Sequence, residues 1–210
     1  MKPSALLRLV PATALALGLL ASRADARSCC ERDMPGTAAS GNSLYQLPLH
    51  FQDDQGRTVA FSDLRGHPVV VAMFFASCPS ACPALVGELK LMQRKLPASV
   101  RADTRFVLVS FDSEHDLAPV LAAYRQSHGL DAHWVLLRGA DRDVRQLAAL
   151  LGISYQRQPN GMFRHTTVAT ALDANGDVIA ARTGLGGSLA GLSAALARIT
   201  PPVAGEHPAS

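Results

Sequence analysis

The feature that most constrains the fold of this chain is a continuous apolar run that leads directly into a pair of cysteines. The segment HPVVVAMFFASCPSACPAL covers residues 67–85 and begins with the β-branched stretch expected of a strand that is buried on both faces. After the cysteines, apolar side chains recur at helical spacing until Pro97, at Leu85, Leu89, Met92 and Leu96. The segment therefore predicts a central strand that passes through Cys78 and Cys82 into a helix.

The same alternation of strand and helix continues along the chain. Apolar β-branched runs in TRFVLVSF and HWVLLRG each precede a segment with helical spacing. Turn residues predict two hairpins, one around residues 53–56 and a late one around Asn175-Gly176, and a final helix follows the second. This order predicts an α/β fold, with a thioredoxin-like central β-sheet, helices on both faces and an N-terminal β-hairpin extension.

The sequence divides into four segments. Residues 1–26 combine positive charges, an apolar run and small residues, which predicts a cleaved signal peptide, with an uncleaved membrane anchor as the alternative. Residues 27–43 predict a flexible lead-in, residues 44–198 the thioredoxin-like domain, and residues 199–210 a loose tail. The leader predicts an exported protein in the periplasm, either free or attached to the inner membrane through its N-terminus.

Composition excludes several classes of function. Of the 210 residues, 48% are hydrophobic and only four are cysteines, so the chain can form a full apolar core and is not built on disulfides. The net charge is only +3, and no basic stripe with interleaved aromatic residues is present in the sequence. Nucleic-acid binding is therefore not expected.

The cysteine pair itself allows three interpretations. Cys78 and Cys82 lie four positions apart at the start of a helix, where they share one face and where the helix N-terminus lowers the pKa of a thiol. A structural disulfide, a dithiol–disulfide exchange pair and half of a metal site all fit this placement. Redox enzymes on this fold usually separate the cysteines by two residues and carry a proline directly before the following strand. Here the nearest proline, Pro159, stands several residues too early.

His165 is the residue that would complete a metal site. It lies at the predicted start of the late hairpin, which in a thioredoxin-like fold is beside the helix that carries the cysteines. Two thiolates and one imidazole form a soft three-coordinate site that suits Cu(I) and can hold Cu(II), whereas zinc would normally require a fourth ligand. Asp112 ends a strand on the same edge of the sheet, so it is the candidate to support a metal ligand through a hydrogen bond.

Three motifs together resemble the SCO/SenC family of copper-binding proteins that assemble cytochrome c oxidase. They are CPSACP at residues 78–83, VLVSFDSEHD at residues 107–116 and FRHTTVATALDANGD at residues 163–177. The resemblance covers residues 44–198 and implies that Cys78, Cys82 and His165 bind copper. It also implies delivery of copper to the binuclear copper site of cytochrome c oxidase subunit II, or reduction of that site's cysteines together with a thiol reductant.

Two positions depart from the family's usual pattern, and alternatives to copper delivery stay open. Ser113 and Ala118 stand where members usually have proline, although both aspartates of the motif are retained. The main alternative is a periplasmic thiol–disulfide oxidoreductase that uses the cysteine pair without metal, and a third is a copper sensor or buffer without a dedicated acceptor. The sequence assigns no role to Cys29 and Cys30 in the lead-in.

Overall fold

The computed structural model describes residues 42–199, which fall within one compact unit. The predicted signal peptide, Cys29, Cys30 and residues 200–210 lie outside this described part, so the predictions made for them stay predictions. The same applies to the proposed segment boundaries. None of the helices within residues 42–199 is both long enough and apolar enough to cross a membrane.

Residues 42–199 contain nine strands, seven of which form one mixed sheet. In chain order the strands are β1 (His50–Asp53), β2 (Thr58–Ala60), β3 (Val69–Phe74), β4 (Arg105–Ser110), β5 (Trp134–Gly139), β6 (Tyr155–Arg157), β7 (Phe163–His165), β8 (Val168–Leu172) and β9 (Val178–Thr183). The spatial order of the large sheet is β2-β1-β5-β4-β3-β8-β9, and β6 pairs with β7 in a separate small sheet. Within the large sheet β3, β4 and β5 are parallel, and the other neighbouring strands are antiparallel.

Five α-helices accompany the sheet. They are α1 (Ala81–Lys95), α2 (Ala98–Asp103), α3 (Ala118–His128), α4 (Asp141–Leu150) and α5 (Ala190–Ile199). The helices predicted after the cysteines and after each later buried strand are confirmed. The short helix α2 was not predicted, because Pro97 ends α1 as expected but also stands directly before the first residue of α2.

The strand β3 forms the centre of the core. All six of its residues are buried, and it pairs with β4 on one side and with β8 on the other. A strand that is paired on both edges and buried on both faces must be covered by helices above and below the sheet. The prediction of a thioredoxin-like α/β fold with a central buried strand is therefore confirmed.

The predicted N-terminal hairpin extension is also confirmed. Strands β1 and β2 are antiparallel, and β1 joins the main sheet along β5. The buried side chain of Asp53 holds the turn, since its Oδ1 accepts hydrogen bonds from the backbone amides of Gln55 and Arg57 at 2.9 and 2.8 Å. Gly56 has a φ of 81°, which a glycine adopts without strain.

The small sheet of β6 and β7 changes the expected position of His165. The sequence prediction placed His165 at the start of the hairpin strand, which in the structure begins only at Val168. His165 instead ends β7, which pairs with β6 around a turn at residues 158–162. Both strands are three residues long and mostly polar, so they show no apolar alternation from which they could be recognised.

Candidate metal centre

The two cysteines lie where the connection after β3 leads into α1. The backbone amide of Cys78 donates a hydrogen bond to the Phe75 carbonyl at 3.2 Å, which turns the chain after the strand. Cys82 is the second residue of α1, and its amide donates to Sγ of Cys78 at 3.3 Å. Both cysteines are free thiols in the structure. An amide of the first helical turn thus faces the Cys78 sulfur, where it stabilises negative charge.

The two cysteines differ in their exposure to solvent. Cys78 is 8% exposed and Cys82 only 1%. Burial raises the pKa of the Cys82 thiol above its ordinary value, and the nearby Cys78 and Asp116 raise this pKa further. The expectation of a lowered thiol pKa is therefore wrong for Cys82, where burial has the largest effect. Cys78 is the sulfur that an incoming thiol or metal ion reaches first.

His165 lies beside the cysteine connection in a group of packed rings, which we call the aromatic cluster. Its members are Phe75, Phe111, Tyr155, Phe163 and His165. The His165 ring centroid is 5.0 Å from that of Phe111 and 6.2 Å from that of Phe75. His165 Nδ1 lies 3.2 Å from the Thr166 carbonyl, which can only accept, so Nδ1 carries a proton. In the neutral ring, Nε2 then has the free lone pair that a metal ion needs.

Within residues 42–199, no group of three or more His, Cys, Asp or Glu side chains lies close enough together to hold a metal ion. The structure brings Cys78 and Cys82 into contact, and the His165 ring lies 6.2 Å from the ring of Phe75, whose carbonyl accepts the hydrogen bond of the Cys78 amide. Two sulfur donors and one imidazole nitrogen are a donor set that suits a soft ion such as copper. The assignment of these three residues as ligands stays a prediction.

Asp116, rather than the predicted Asp112, contacts the cysteine connection directly. Its Oδ2 accepts hydrogen bonds from the Ala76 amide at 2.8 Å and from the Ser110 hydroxyl. Burial raises the pKa of this carboxyl, although the two hydrogen bonds act in the opposite direction. The sequence contained the signal, since Asp116 is the second aspartate of the same motif.

Asp112 belongs to a charged network that sequence reasoning missed. This buried carboxylate lies 2.8 Å from Nδ1 of His115 and 3.2 Å from Nη2 of Arg157. The Arg157 guanidinium also pairs with Glu114 at 2.6 Å. The role of Asp112 as support for a metal ligand stays a prediction. No spacing in the sequence links Arg157, which lies on β6, to residues more than forty positions earlier.

An open cleft of about 740 Å³ lies next to the cysteine connection. Its walls include Ser77, Asp116, Tyr124, His128 and Met162. Ala76 and Ser77, the two residues before Cys78, line this cleft. The Tyr124 ring is buried against Phe74 in the cleft wall, at 4.9 Å between centroids.

Comparison with known proteins supports the same assignment of family. A family model described as SCO1/SenC matches residues 37–198. The SCO1 protein homolog of Bacillus subtilis (strain 168) is 25% identical over 116 residues, which cover 54% of this chain and 60% of that protein. The four curated relatives that match are covered over only 53–64% of their own lengths.

Solved structures show the same fold. A SCO1/SenC family lipoprotein from Bacillus anthracis superposes with a TM-score of 0.66 at 23% identity, covering 72% of this chain and 92% of that chain. Copper-bound ScoI from Arabidopsis thaliana superposes with a TM-score of 0.63 at 17% identity, covering 72% of this chain and 95% of that chain. At these identities the structural likeness establishes the thioredoxin-like fold.

Proposed function

This chain belongs to the SCO1/SenC family, and on that premise we propose that it is an exported copper chaperone whose ligands are Cys78, Cys82 and His165. The observation that carries the proposal is the contact between the Cys82 amide and the Cys78 sulfur at the start of α1. Two sulfur donors thus meet at one helix terminus, and the His165 ring lies 6.2 Å from that of Phe75 in the connection before them. The copper-bound state of Arabidopsis ScoI supports copper as the cargo.

The buried cysteine pair couples copper loading to the redox state of the protein. Copper binds the thiolate forms, so loading requires both cysteines to be reduced and releases their protons. Formation of a Cys78–Cys82 disulfide would pass two electrons to an oxidant, release two protons and remove both sulfur ligands. The protein would therefore accept copper only after a thiol reductant has acted on it.

The proposed acceptor is the binuclear copper site of cytochrome c oxidase subunit II, which follows from the family resemblance. Transfer would begin at Cys78, because it is the more exposed of the two cysteines and directly follows Ala76 and Ser77, which line the open cleft. The signal-like leader and the lipoprotein nature of the Bacillus anthracis protein support an exported location with attachment to the inner membrane.

A second candidate function is thiol–disulfide exchange without metal. The unequal burial of the two thiols favours it, since an accessible attacking cysteine and a buried resolving cysteine suit this chemistry. In that case Cys78 attacks a partner disulfide, and Cys82 then displaces the partner thiol to form the intramolecular disulfide. His165 would have no necessary part in this reaction, which separates the two functions experimentally.

The test measures copper binding by the reduced mature protein under anaerobic conditions. We expect one Cu(I) per chain, and His165→Ala to weaken the affinity at least tenfold, since loss of even a supporting partner of a ligand costs about 10–100-fold. His50→Ala is the matched control, because His50 is an exposed histidine on β1. Absence of stoichiometric copper, or full affinity in His165→Ala, would contradict the proposal. Thiol exchange that persists in His165→Ala would then favour the second function.

A further inference from the structure

The small sheet that carries His165 needs an anchor outside itself. It consists of two strands of three residues each, and a two-stranded hairpin is at best marginally stable in water on its own. Among residues 42–199, strands β6 and β7 pair only with each other, and neither joins the main sheet. The position of His165 therefore depends on the two-residue link to β8 and on the side chains that attach these strands to the rest of the protein.

One attachment is formed by aromatic rings. Tyr155 of β6 stacks on Phe111 with centroids 5.0 Å apart and planes 16° apart. Phe163 of β7 packs on Phe75 at 5.1 Å and on Phe111 at 5.0 Å. Ring packing of this kind buries apolar area, and its hydrophobic contribution is non-directional.

The second attachment is Arg157, and it is directional. Arg157 lies two positions from Tyr155, so both side chains leave the same face of β6. Its guanidinium contacts three polar groups in the loop after β4: Asp112 at 3.2 Å, Glu114 at 2.6 Å and Nδ1 of His115 at 2.8 Å. A planar guanidinium that bridges two carboxylates fixes both distance and orientation, which a single apolar contact cannot do.

Arg157 also contacts the strand that carries the histidine. Arg157 and Phe163 are direct partners in the register of the small sheet, and the guanidinium carbon lies 5.3 Å from the centre of the Phe163 ring. Phe163 and His165 are two positions apart and therefore share one face of β7. The chain of contacts thus runs from the carboxylates through Arg157 and Phe163 to the side of β7 on which His165 lies.

The opposite end of this series of contacts reaches the segment that carries the cysteines. Asp112 and Asp116 belong to the same loop between β4 and α3, and the amide of Asp116 donates to the Asp112 carbonyl at 3.0 Å. Asp116 in turn holds the Ala76 amide, two residues before Cys78. The loop therefore contacts both the strands that carry His165 and the connection that carries the thiols.

We propose that Arg157 is a positioning residue for copper binding, which holds the β6–β7 sheet so that His165 can act as a ligand beside Cys78 and Cys82. The inference rests on the proposed copper function, and it adds a residue that binds neither the metal nor the thiols. Without Arg157, ordering of the small sheet has to occur when copper binds, and that ordering weakens the affinity.

The test is a double-mutant cycle on copper affinity, measured by competition with a chromophoric Cu(I) chelator. We expect Arg157→Gln to weaken Cu(I) binding about tenfold or more in the wild-type background. In the His165→Ala background, the same substitution should leave the affinity unchanged, because its effect passes through His165. Arg164→Gln is the matched control, since Arg164 is an exposed arginine of β7 that forms no ion pair within residues 42–199.

A second measurement uses the metal-free protein. We expect Arg157→Gln to speed amide hydrogen exchange in β6 and β7 at least about fivefold, while β3 and β4 keep wild-type exchange. Arg157→Gln leaves the buried Asp112 with fewer partners, so Glu114→Gln serves as a second variant. Glu114 is 74% exposed, and its substitution leaves no buried charge without a partner. Glu114→Gln should also weaken Cu(I) binding and speed amide exchange in β6 and β7, by smaller factors than Arg157→Gln.

Three results would overturn the inference: unchanged affinity in Arg157→Gln, an equal loss in the His165→Ala background, or unchanged exchange in β6 and β7. Failure of the proposed function would look different, because the wild-type protein would then bind no copper, or His165→Ala alone would bind copper with full affinity. The exchange measurement would still decide whether Arg157 anchors the small sheet.

Discussion

At the scale of single residues, the carboxylate of Asp116 joins two segments that the chain separates by more than thirty positions. It accepts hydrogen bonds from the Ala76 amide and the Ser110 hydroxyl, and without it both of these donors would lack this acceptor. Burial raises its pKa above the ordinary value of 3.8. The pKa of Asp116 is thus higher in the folded state than in the unfolded state. Its neutral carboxyl therefore contributes stability that is fully present below the unfolded-state pKa and is lost as the pH rises through the folded-state pKa.

We expect two substitutions of Asp116 to affect stability differently. Asp116→Ala should lower it, whereas the stability of Asp116→Asn relative to the wild type should rise with pH. Asp116→Ala leaves the Ala76 amide and the Ser110 hydroxyl without an acceptor, which should lower the free energy of unfolding by about 1–3 kcal/mol. Asp116→Asn keeps a carbonyl acceptor that never ionises, so its stability relative to the wild type should increase as the pH rises from about 4 towards 7. Urea unfolding at several pH values measures both effects. Equal stability of wild type and Asp116→Ala would refute this account.

At the scale of secondary-structure elements, the turn between β8 and β9 determines how the N-terminal segment packs. Gly176 has a φ of 89°, and its carbonyl accepts a hydrogen bond from the Leu44 amide at 3.0 Å. A Cβ atom at this position would lie 2.5–2.8 Å from carbon atoms of the Tyr45 ring, closer than van der Waals contact allows. The turn therefore requires glycine both for its backbone conformation and for the approach of Tyr45.

This arrangement predicts a difference between two glycine substitutions. Gly176→Ala should lower the free energy of unfolding by about 1–3 kcal/mol more than Gly56→Ala, because it adds a clash with Tyr45 to the strain of a positive φ. Gly56 is the matched control: its φ is 81°, and a Cβ there would have no atom within 4 Å. Chemical denaturation at neutral pH compares the two variants, and similar losses for both would show that the Tyr45 contact is unimportant.

The elements that could be predicted from the sequence are those fixed by local chemistry. The apolar run of β3 is visible because both faces of the strand are buried, and Gly129, with a φ of 56°, marks the end of α3. The small sheet could not be predicted, because Tyr155 and Phe163 are isolated rings in otherwise polar segments. Arg157 was equally invisible, since its partners at residues 112–115 are brought to it only by the complete fold.

At the scale of the whole molecule, the candidate site draws on three separate parts of the chain. The thiols come from the β3–α1 connection, the supporting carboxylates from the loop after β4, and the histidine from the small sheet. The placement of Cys78 and Cys82 at the start of one helix could be predicted because they are neighbours in sequence. The contact of His165 with Phe75 and Phe111, in contrast, depends on tertiary packing. A ligand that bridges these parts would stabilise the complete fold rather than one element.

Copper should therefore raise the thermal stability of the reduced protein and leave that of the oxidised protein unchanged. A ligand that binds only the folded state stabilises it by about 2.7 kcal/mol at a free concentration of 100 times its Kd. For a domain of this size, each kcal/mol corresponds to about 2–4 °C in Tm. Thermal unfolding with buffered Cu(I) measures the shift, and a Cys78→Ser/Cys82→Ser variant provides the matched control without sulfur ligands. If copper raised the Tm of the disulfide form or of that variant by the same amount, its binding site would lie elsewhere in the protein, and the coupling between loading and thiol redox state would be lost.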